Sequence, residues 1–156
     1  VHLHDVEILR VHGPQIPQMH DASGGFCAYT GIVKEEERMA RHILIADDQP
    51  RVRHALRLLL EQELAPEAVD EAAEAKTLLA QVAASCPDLV LLDWGLPGMA
   101  APDLLIALRQ TRTALTIIVL SGQPEAEEKA LAAGADAFVS KADPPERLLA
   151  AICATG

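Results

Sequence analysis

From Ile43 onward, short apolar runs alternate with stretches of helical period, and they do so five times. Ile43-Leu44-Ile45-Ala46 reads as a strand. The helix opening at Pro50 places Val52, Ala55, Leu56, Leu59 and Leu60 at i, i+3, i+4, i+7 and i+8, the spacing of one buried helix face. Ala68-Val69-Asp70 is a weak strand, and Ala72 to Ala84 is an Ala- and Leu-rich helix with Pro87 just past its end. Leu89-Val90-Leu91-Leu92 reads as a strand buried on both faces. Pro102 begins a helix through Arg109, in the first-turn place that proline suits. Leu115 to Leu120 is the strongest strand, Pro124 to Ala133 a helix stopped by Gly134, and Ala137-Phe138-Val139 the last strand. Asp143-Pro144-Pro145-Glu146 starts the final helix, with Asp143 as N-cap and Glu146 at the third position. Leu148, Leu149 and Ile152 form its buried stripe.

Strand–helix alternation with short connections requires a parallel sheet covered by helices on both faces. The size fits an α/β fold with a five-stranded doubly wound sheet, flavodoxin-like, in strand order 2-1-3-4-5. Half of the chain is hydrophobic but only 3% is aromatic, so the core is built from Leu, Val, Ile and Ala.

The first forty residues do not share this regularity. They hold His2, His4, His12 and His20, the Gly24-Gly25 pair and no sustained period. The chain opens with Val1, and Met39 stands just before the first strand. Codons for Lys34-Glu35-Glu36 can contain a ribosome-binding sequence. Residues 1–40 are therefore expected to be a disordered extension or a mis-assigned start, and 41–156 the folded domain.

A net charge of −10 argues against nonspecific nucleic-acid binding, which needs Lys and Arg to neutralise phosphate. Cys27, Cys86 and Cys153 are odd in number and lack metal-ligand spacing, so they read as free thiols in a reducing compartment. No apolar stretch has transmembrane length and no basic-then-apolar leader is present, so the expectation is a cytoplasmic protein away from membranes.

In a doubly wound sheet the ligand site lies beyond the carboxyl ends of the strands, where the strand order reverses. Strand 1 ends there in Asp47-Asp48, strand 3 in Asp93, strand 4 in Ser121-Gly122 and strand 5 in Ser140-Lys141. Each alone is a turn former, a helix cap or a solvated charge. Together they are not, because carboxylates about 4 Å apart repel by roughly 4 kcal/mol per pair at an effective dielectric of 20. Lys141 supplies one counter-charge, and a hard cation with oxygen ligands, Mg2+, supplies the rest. Such a site suits phosphoryl transfer to the Asp93 carboxylate, with Lys141 and Mg2+ stabilising the charge in flight and Ser121 bonding a phosphoryl oxygen. Gly95 lets its backbone approach the metal, with its carbonyl as a further ligand.

The motifs ILIADDQPRVRHAL, PDLVLLDWGLPGM, IIVLSG and GADAFVSK, in that order and spacing, resemble the response-regulator receiver domain, the CheY-like phosphoacceptor of two-component signalling. The resemblance covers residues 41 to about 154 and is strongest to receivers that precede a LuxR-type helix-turn-helix. It implies that Asp93 is the phosphoacceptor and that Asp47 and Asp48 bind Mg2+, Asp48 ahead of Asp47 as direct ligand. It further places Ser121 at the hydroxyl switch position, Lys141 at the ammonium position and Phe138 at the aromatic switch position. By composition alone Phe138 is a core residue of its strand.

Two departures stand out. Ala100-Ala101-Pro102 replaces the polar residue and Gly usual after PGM, and Ala142-Asp143 follow Lys141 where many receivers have Pro, which puts the geometry of the lysine loop in question. No helix-turn-helix follows Gly156, so a stand-alone receiver is expected, taking its phosphoryl group from a sensor histidine kinase or phosphotransfer protein. The output is then a changed face from helix 4 to helix 5, near Leu131 and Leu148, that binds a protein target or a second copy, without direct nucleic-acid binding. Arg51, Arg53 and Arg57 form a solvated or kinase-docking face. The alternatives are a truncated DNA-binding regulator, a non-phosphorylated scaffold, or an Mg2+-dependent Asp-nucleophile phosphatase. The last wants an acid two residues after the nucleophile, where this chain has Gly95.

Overall fold

The computed structural model describes residues 42–155, so the readings of residues 1–40 and of Cys27 lie outside it. Among the described residues five strands alternate with five helices. The strands are β1 (His42–Ala46), β2 (Ala68–Ala72), β3 (Leu89–Asp93), β4 (Thr116–Ser121) and β5 (Ala137–Ser140). The helices are α1 (Pro50–Glu63), α2 (Ala75–Ser85), α3 (Ala101–Thr111), α4 (Ala126–Ala132) and α5 (Pro145–Thr155). All strand pairings are parallel, in the order β2-β1-β3-β4-β5, as the alternation of elements predicts.

The period of two along a strand divides the core between the two faces. Leu44, Val90, Leu92, Ile117 and Val119 point to one side, where Leu78 and Val82 of α2, Leu104, Leu105 and Leu108 of α3 and Ala130 of α4 cover them. Ile43, Ile45, Leu91, Ile118 and Leu120 point to the other, under Leu60 of α1 and Leu148 and Ile152 of α5. Strands β1, β3 and β4 are thus buried on both faces, which is why their sequences are continuous apolar runs. Edge strand β2 reads AVDEA and is mostly half-exposed.

Several boundaries differ from the sequence reading. Ala72 closes β2 instead of opening α2: it pairs with Ala46, and its carbonyl accepts from the Asp47 N–H at 3.0 Å. Ladder pairing overrides the helical propensity of the Ala-rich stretch. The fourth helix begins at Ala126, because Pro124 and Glu125 form a turn in which the Ala126 N–H bonds the Gln123 carbonyl at 3.0 Å. Asp143 does not cap α5. Its carboxylate turns back to accept from the Ser140 N–H at 3.2 Å, and α5 starts after Pro144. Gly134 does end α4, with φ +113°.

The loop after β3 is fixed against α2. The Ala75 N–H donates to the Pro97 carbonyl at 2.9 Å, and Gly98 adopts φ +107° directly against Ala75. A Cβ at Gly98 would lie 3.3 Å from the Ala75 Cβ, so this turn requires glycine for both conformation and space.

Candidate functional site

Asp93 stands at the carboxyl end of β3, one residue past the pairing with β1 and held to β4 alone. It pairs with Leu120, and the following Trp94 N–H donates to the Leu120 carbonyl at 2.9 Å. The Leu96 N–H then folds back onto the Asp93 carbonyl at 3.1 Å, which turns the chain away and leaves the carboxylate at the sheet edge, 13% exposed. Asp47 and Asp48 follow β1, the neighbouring strand. One carboxylate oxygen from each of Asp47, Asp48 and Asp93 lies within 4.8 Å of the others.

The two members of the acidic pair are not equivalent. Asp47 is buried, and its Oδ1 accepts from the Gln49 N–H at 2.9 Å while its Oδ2 accepts from Lys141 Nζ at 2.8 Å. Asp48 is exposed, and among the described residues no hydrogen bond is made to its carboxylate.

Lys141 reaches this cluster from the end of β5, with Nζ also 3.1 Å from Asp93 Oδ1. The loop that delivers it has no proline after the lysine and is held instead by its own polar groups. The Lys141 N–H bonds the Ser121 carbonyl at 2.8 Å, the Ala142 N–H bonds Ser140 Oγ at 3.1 Å, and the Asp143 N–H bonds the Ser140 carbonyl at 3.0 Å. Burial disfavours the ammonium, but the hydrogen bonds and charges of Asp47 and Asp93 outweigh it and raise the Lys141 pKa above the ordinary lysine value. The ammonium therefore stays charged at neutral pH. One ammonium against three carboxylates leaves negative charge uncompensated, and three carboxylates with room toward solvent are the donor set a small hard cation takes.

Ser121, buried, is the last residue of β4 and lies opposite Ser140 in register. Its Oγ accepts from the Gln123 N–H at 3.0 Å, inside its own turn. Phe138 sits opposite Val119, two residues before that serine pair, half-buried against the core. Gly95 is not demanded by space or by a left-handed backbone: a Cβ there would lie 3.9 Å from Asp93 Oδ2, an ordinary contact. What glycine provides is a clear approach to that oxygen.

Glu71 escaped the sequence reading, and with it the role of two arginines. Arg53 and Arg57 are not a solvated face: both turn from α1 onto the edge of β2 and share Glu71. Arg53 Nε donates to Glu71 Oε1 at 2.8 Å and Arg57 Nε to Glu71 Oε2 at 2.7 Å. The signal lay in the i, i+4 spacing of the two arginines, which puts them on one helix face. Burial opposes the ionised Glu71, but the two guanidinium groups prevail and lower its pKa. Farther away, Leu131 on α4 is exposed while Leu148 on α5 is buried, so only the first is a surface group. Cys86 and Cys153 are free and exposed, and among the described residues no helix is long and apolar enough to cross a membrane.

Residues 43–153 match the family described as response regulator receiver domain. The nitrate/nitrite response regulator protein NarP of Escherichia coli (strain K12) is 34% identical over 112 residues, which are 70% of this chain and 52% of NarP. The chain thus spans about half the length of the curated relatives it matches. A LuxR-family two-component response regulator from Aurantimonas sp. SI85-9A1 has a similar structure, with a TM-score of 0.67 at 33% identity over 72% of this chain and 82% of that one. A CheY-like response regulator receiver domain protein from Methanospirillum hungatei JF-1 gives a TM-score of 0.64 at 32% identity, over 72% of this chain and 90% of the other. A family match over most of the chain, on the fold and strand order that its sequence dictates, makes this protein a member of the response regulator receiver family, the signalling domains of two-component systems.

Proposed function

We propose that the domain accepts a phosphoryl group on Asp93 and signals by the conformational change that follows. The observation that carries this is the meeting of Asp93 with Asp47, Asp48 and the Lys141 ammonium at the one sheet edge where the strand order reverses. The phosphodonor is a phosphohistidine of a sensor kinase or phosphotransfer protein, the partner class of the family, and the proposed setting is the cytoplasm, where such a kinase draws on ATP.

An Asp93 carboxylate oxygen attacks phosphorus. The O–P bond forms as the P–N bond to the donor imidazole breaks, and the leaving nitrogen takes up a proton from solvent. The absence of a side chain at Gly95 keeps Asp93 Oδ2 open to the incoming phosphoryl group. Lys141, already 3.1 Å from Asp93 Oδ1, neutralises charge on the transferred oxygens without having to be brought in. Asp47, Asp48 and Asp93, with the Gly95 carbonyl, are the groups that would hold Mg2+, whose bound charge supplies Lewis-acid stabilisation of the phosphoryl oxygens. Ser121 leaves the Gln123 N–H to bond a phosphoryl oxygen, and Phe138 follows, so that the edge from β4 to α5 changes shape. That face serves a protein target or a second copy of the domain.

The test is chemical localisation. After incubation with phosphoramidate and Mg2+, borohydride reduction converts an aspartyl phosphate to homoserine, and peptide mass spectrometry reads its position. Homoserine at position 93 is the expected result. Phosphate found on a histidine or serine, or no reduction product, contradicts the assignment.

A further inference from the structure

We propose that Arg53 is a positioning residue for the cation site, acting through the peptide that joins Asp47 to Asp48. The inference rests on the reading of those aspartates as Mg2+ ligands.

Each polar group of Asp47 is held by a different part of the fold. Its N–H is tied to the Ala72 carbonyl at the end of β2, and its carboxylate to Gln49 N–H and Lys141. Its carbonyl is held by Arg53 Nη1 at 2.7 Å. That carbonyl belongs to the peptide plane from which Asp48 departs. Asp48 needs this support more than its neighbour, since its own carboxylate makes no hydrogen bond among the described residues. Its aim is set by the backbone on either side.

The guanidinium is itself fixed. While Nη1 holds the Asp47 carbonyl, Nε donates to Glu71 at 2.8 Å, so the planar group is pinned at two points. Glu71 is anchored from the far side by Arg57, whose Nη2 also donates to the Val69 carbonyl at 2.9 Å. The chain of contacts therefore runs from edge strand β2 through Glu71 and Arg53 to the acidic pair. Arg57 shares the glutamate but is not bonded to Asp47, which makes it an internal control.

Two physical effects of Arg53 have opposite signs. As a positive charge near a cation site it would weaken Mg2+ binding, although Glu71 offsets that charge. As a brace on the Asp47–Asp48 peptide it strengthens binding, in the way that outer partners of metal ligands typically contribute tenfold or more in affinity. The bonding pattern favours the brace.

The experiment is Mg2+ titration of the whole chain, followed by calorimetry and by fluorescence of Trp94, the single tryptophan and the neighbour of Asp93. Arg53→Ala is expected to weaken Mg2+ binding about tenfold. Arg57→Ala, which loses a similar share of the ion-pair network, is expected to stay within about twofold of wild type and so separates bracing from general loss of stability. Arg53→Lys keeps charge and fold but not the two-point fork, and its affinity is expected between the two. Unchanged or tighter binding in Arg53→Ala, equal weakening in Arg57→Ala, or full wild-type affinity in Arg53→Lys overturns the proposal alone. Absence of Mg2+ binding by the wild-type chain overturns the site reading, and this proposal with it.

Discussion

Lys141 Nζ lies 2.8 Å from the buried Oδ2 of Asp47, a contact between residues 94 positions apart in the sequence. It ties the end of the last strand to the end of the first, across the two strands between them, and leaves Lys141 beside Asp93 as well. The ammonium thus occupies the acidic site from one side. A cation entering the same site shares those carboxylates with it.

Lys141→Met should therefore separate affinity from chemistry. Without Mg2+ the variant loses stability by about 1–3 kcal/mol, because the buried Asp47 carboxylate loses a charged partner. Mg2+ should stabilise it more than it stabilises wild type, since the competing ammonium is gone. Phosphorylation by acetyl phosphate should slow on the order of a hundredfold, the usual loss when a charge-stabilising donor is removed. Urea unfolding with and without Mg2+, beside labelling rates, reads all three.

The Glu71 network carries a pH signature. The two arginines lower the Glu71 pKa in the folded state despite the cost of burial. A lowered carboxyl pKa contributes stability that is fully present above the ordinary glutamate value and is lost as pH falls through the lowered one. Wild type should thus exceed Glu71→Gln by about 1–2 kcal/mol at neutral pH. The difference should shrink only below the ordinary glutamate range. Urea midpoints measured from pH 7 to pH 3 check this, and a difference that instead grew on acidification would contradict it.

Arg109 is a clamp at the opposite edge of the sheet. It donates to the Leu115 carbonyl, to the Gly134 carbonyl at 2.8 Å and to Asp136 Oδ2 at 2.7 Å, and Asp136 Oδ2 also accepts from the Ile117 N–H at 2.8 Å. Arg109→Ala should cost about 1–3 kcal/mol of stability. Because the clamp is remote from the acidic cluster, phosphoryl labelling below the unfolding transition should match wild type. Denaturation and labelling of the same sample separate the two effects.

The glycines give a graded pair. Gly134→Ala meets open space and pays only for its backbone conformation at φ +113°, about 1–2 kcal/mol. Gly98→Ala pays a similar conformational cost and also presses its Cβ to 3.3 Å from Ala75. It should be the more destabilising of the two by thermal melting, and it should perturb the loop after Asp93.

Much of this architecture was legible before the structure, and the physical reason is burial. Runs such as Leu89–Leu92 and Ile117–Val119 are covered on both sides, so nothing polar interrupts them. The edge strand was harder. Asp70 and Glu71 look out of place in a strand, and Ala72 resembles its helical successors until its pairing with Ala46 is seen. The acidic cluster was legible because each member closes or follows a strand, and the fold fixes where strand ends meet. Arg53 was not, since its partner Glu71 lies 18 residues away on that poorly marked edge strand and its other acceptor is a backbone carbonyl. Asp143 was misplaced because a residue before two prolines looks like a cap, while here it stabilises the lysine loop through Ser140.

In the proposed function Asp93 accepts a phosphoryl group with the help of Mg2+. Intact-mass analysis after incubation with acetyl phosphate tests it most directly, on wild type, on wild type with EDTA and on Asp93→Asn. One phosphoryl adduct is expected in wild type with Mg2+, and none with EDTA or in Asp93→Asn. An adduct that persists in Asp93→Asn, or no adduct on a folded wild-type chain supplied with Mg2+, would contradict it.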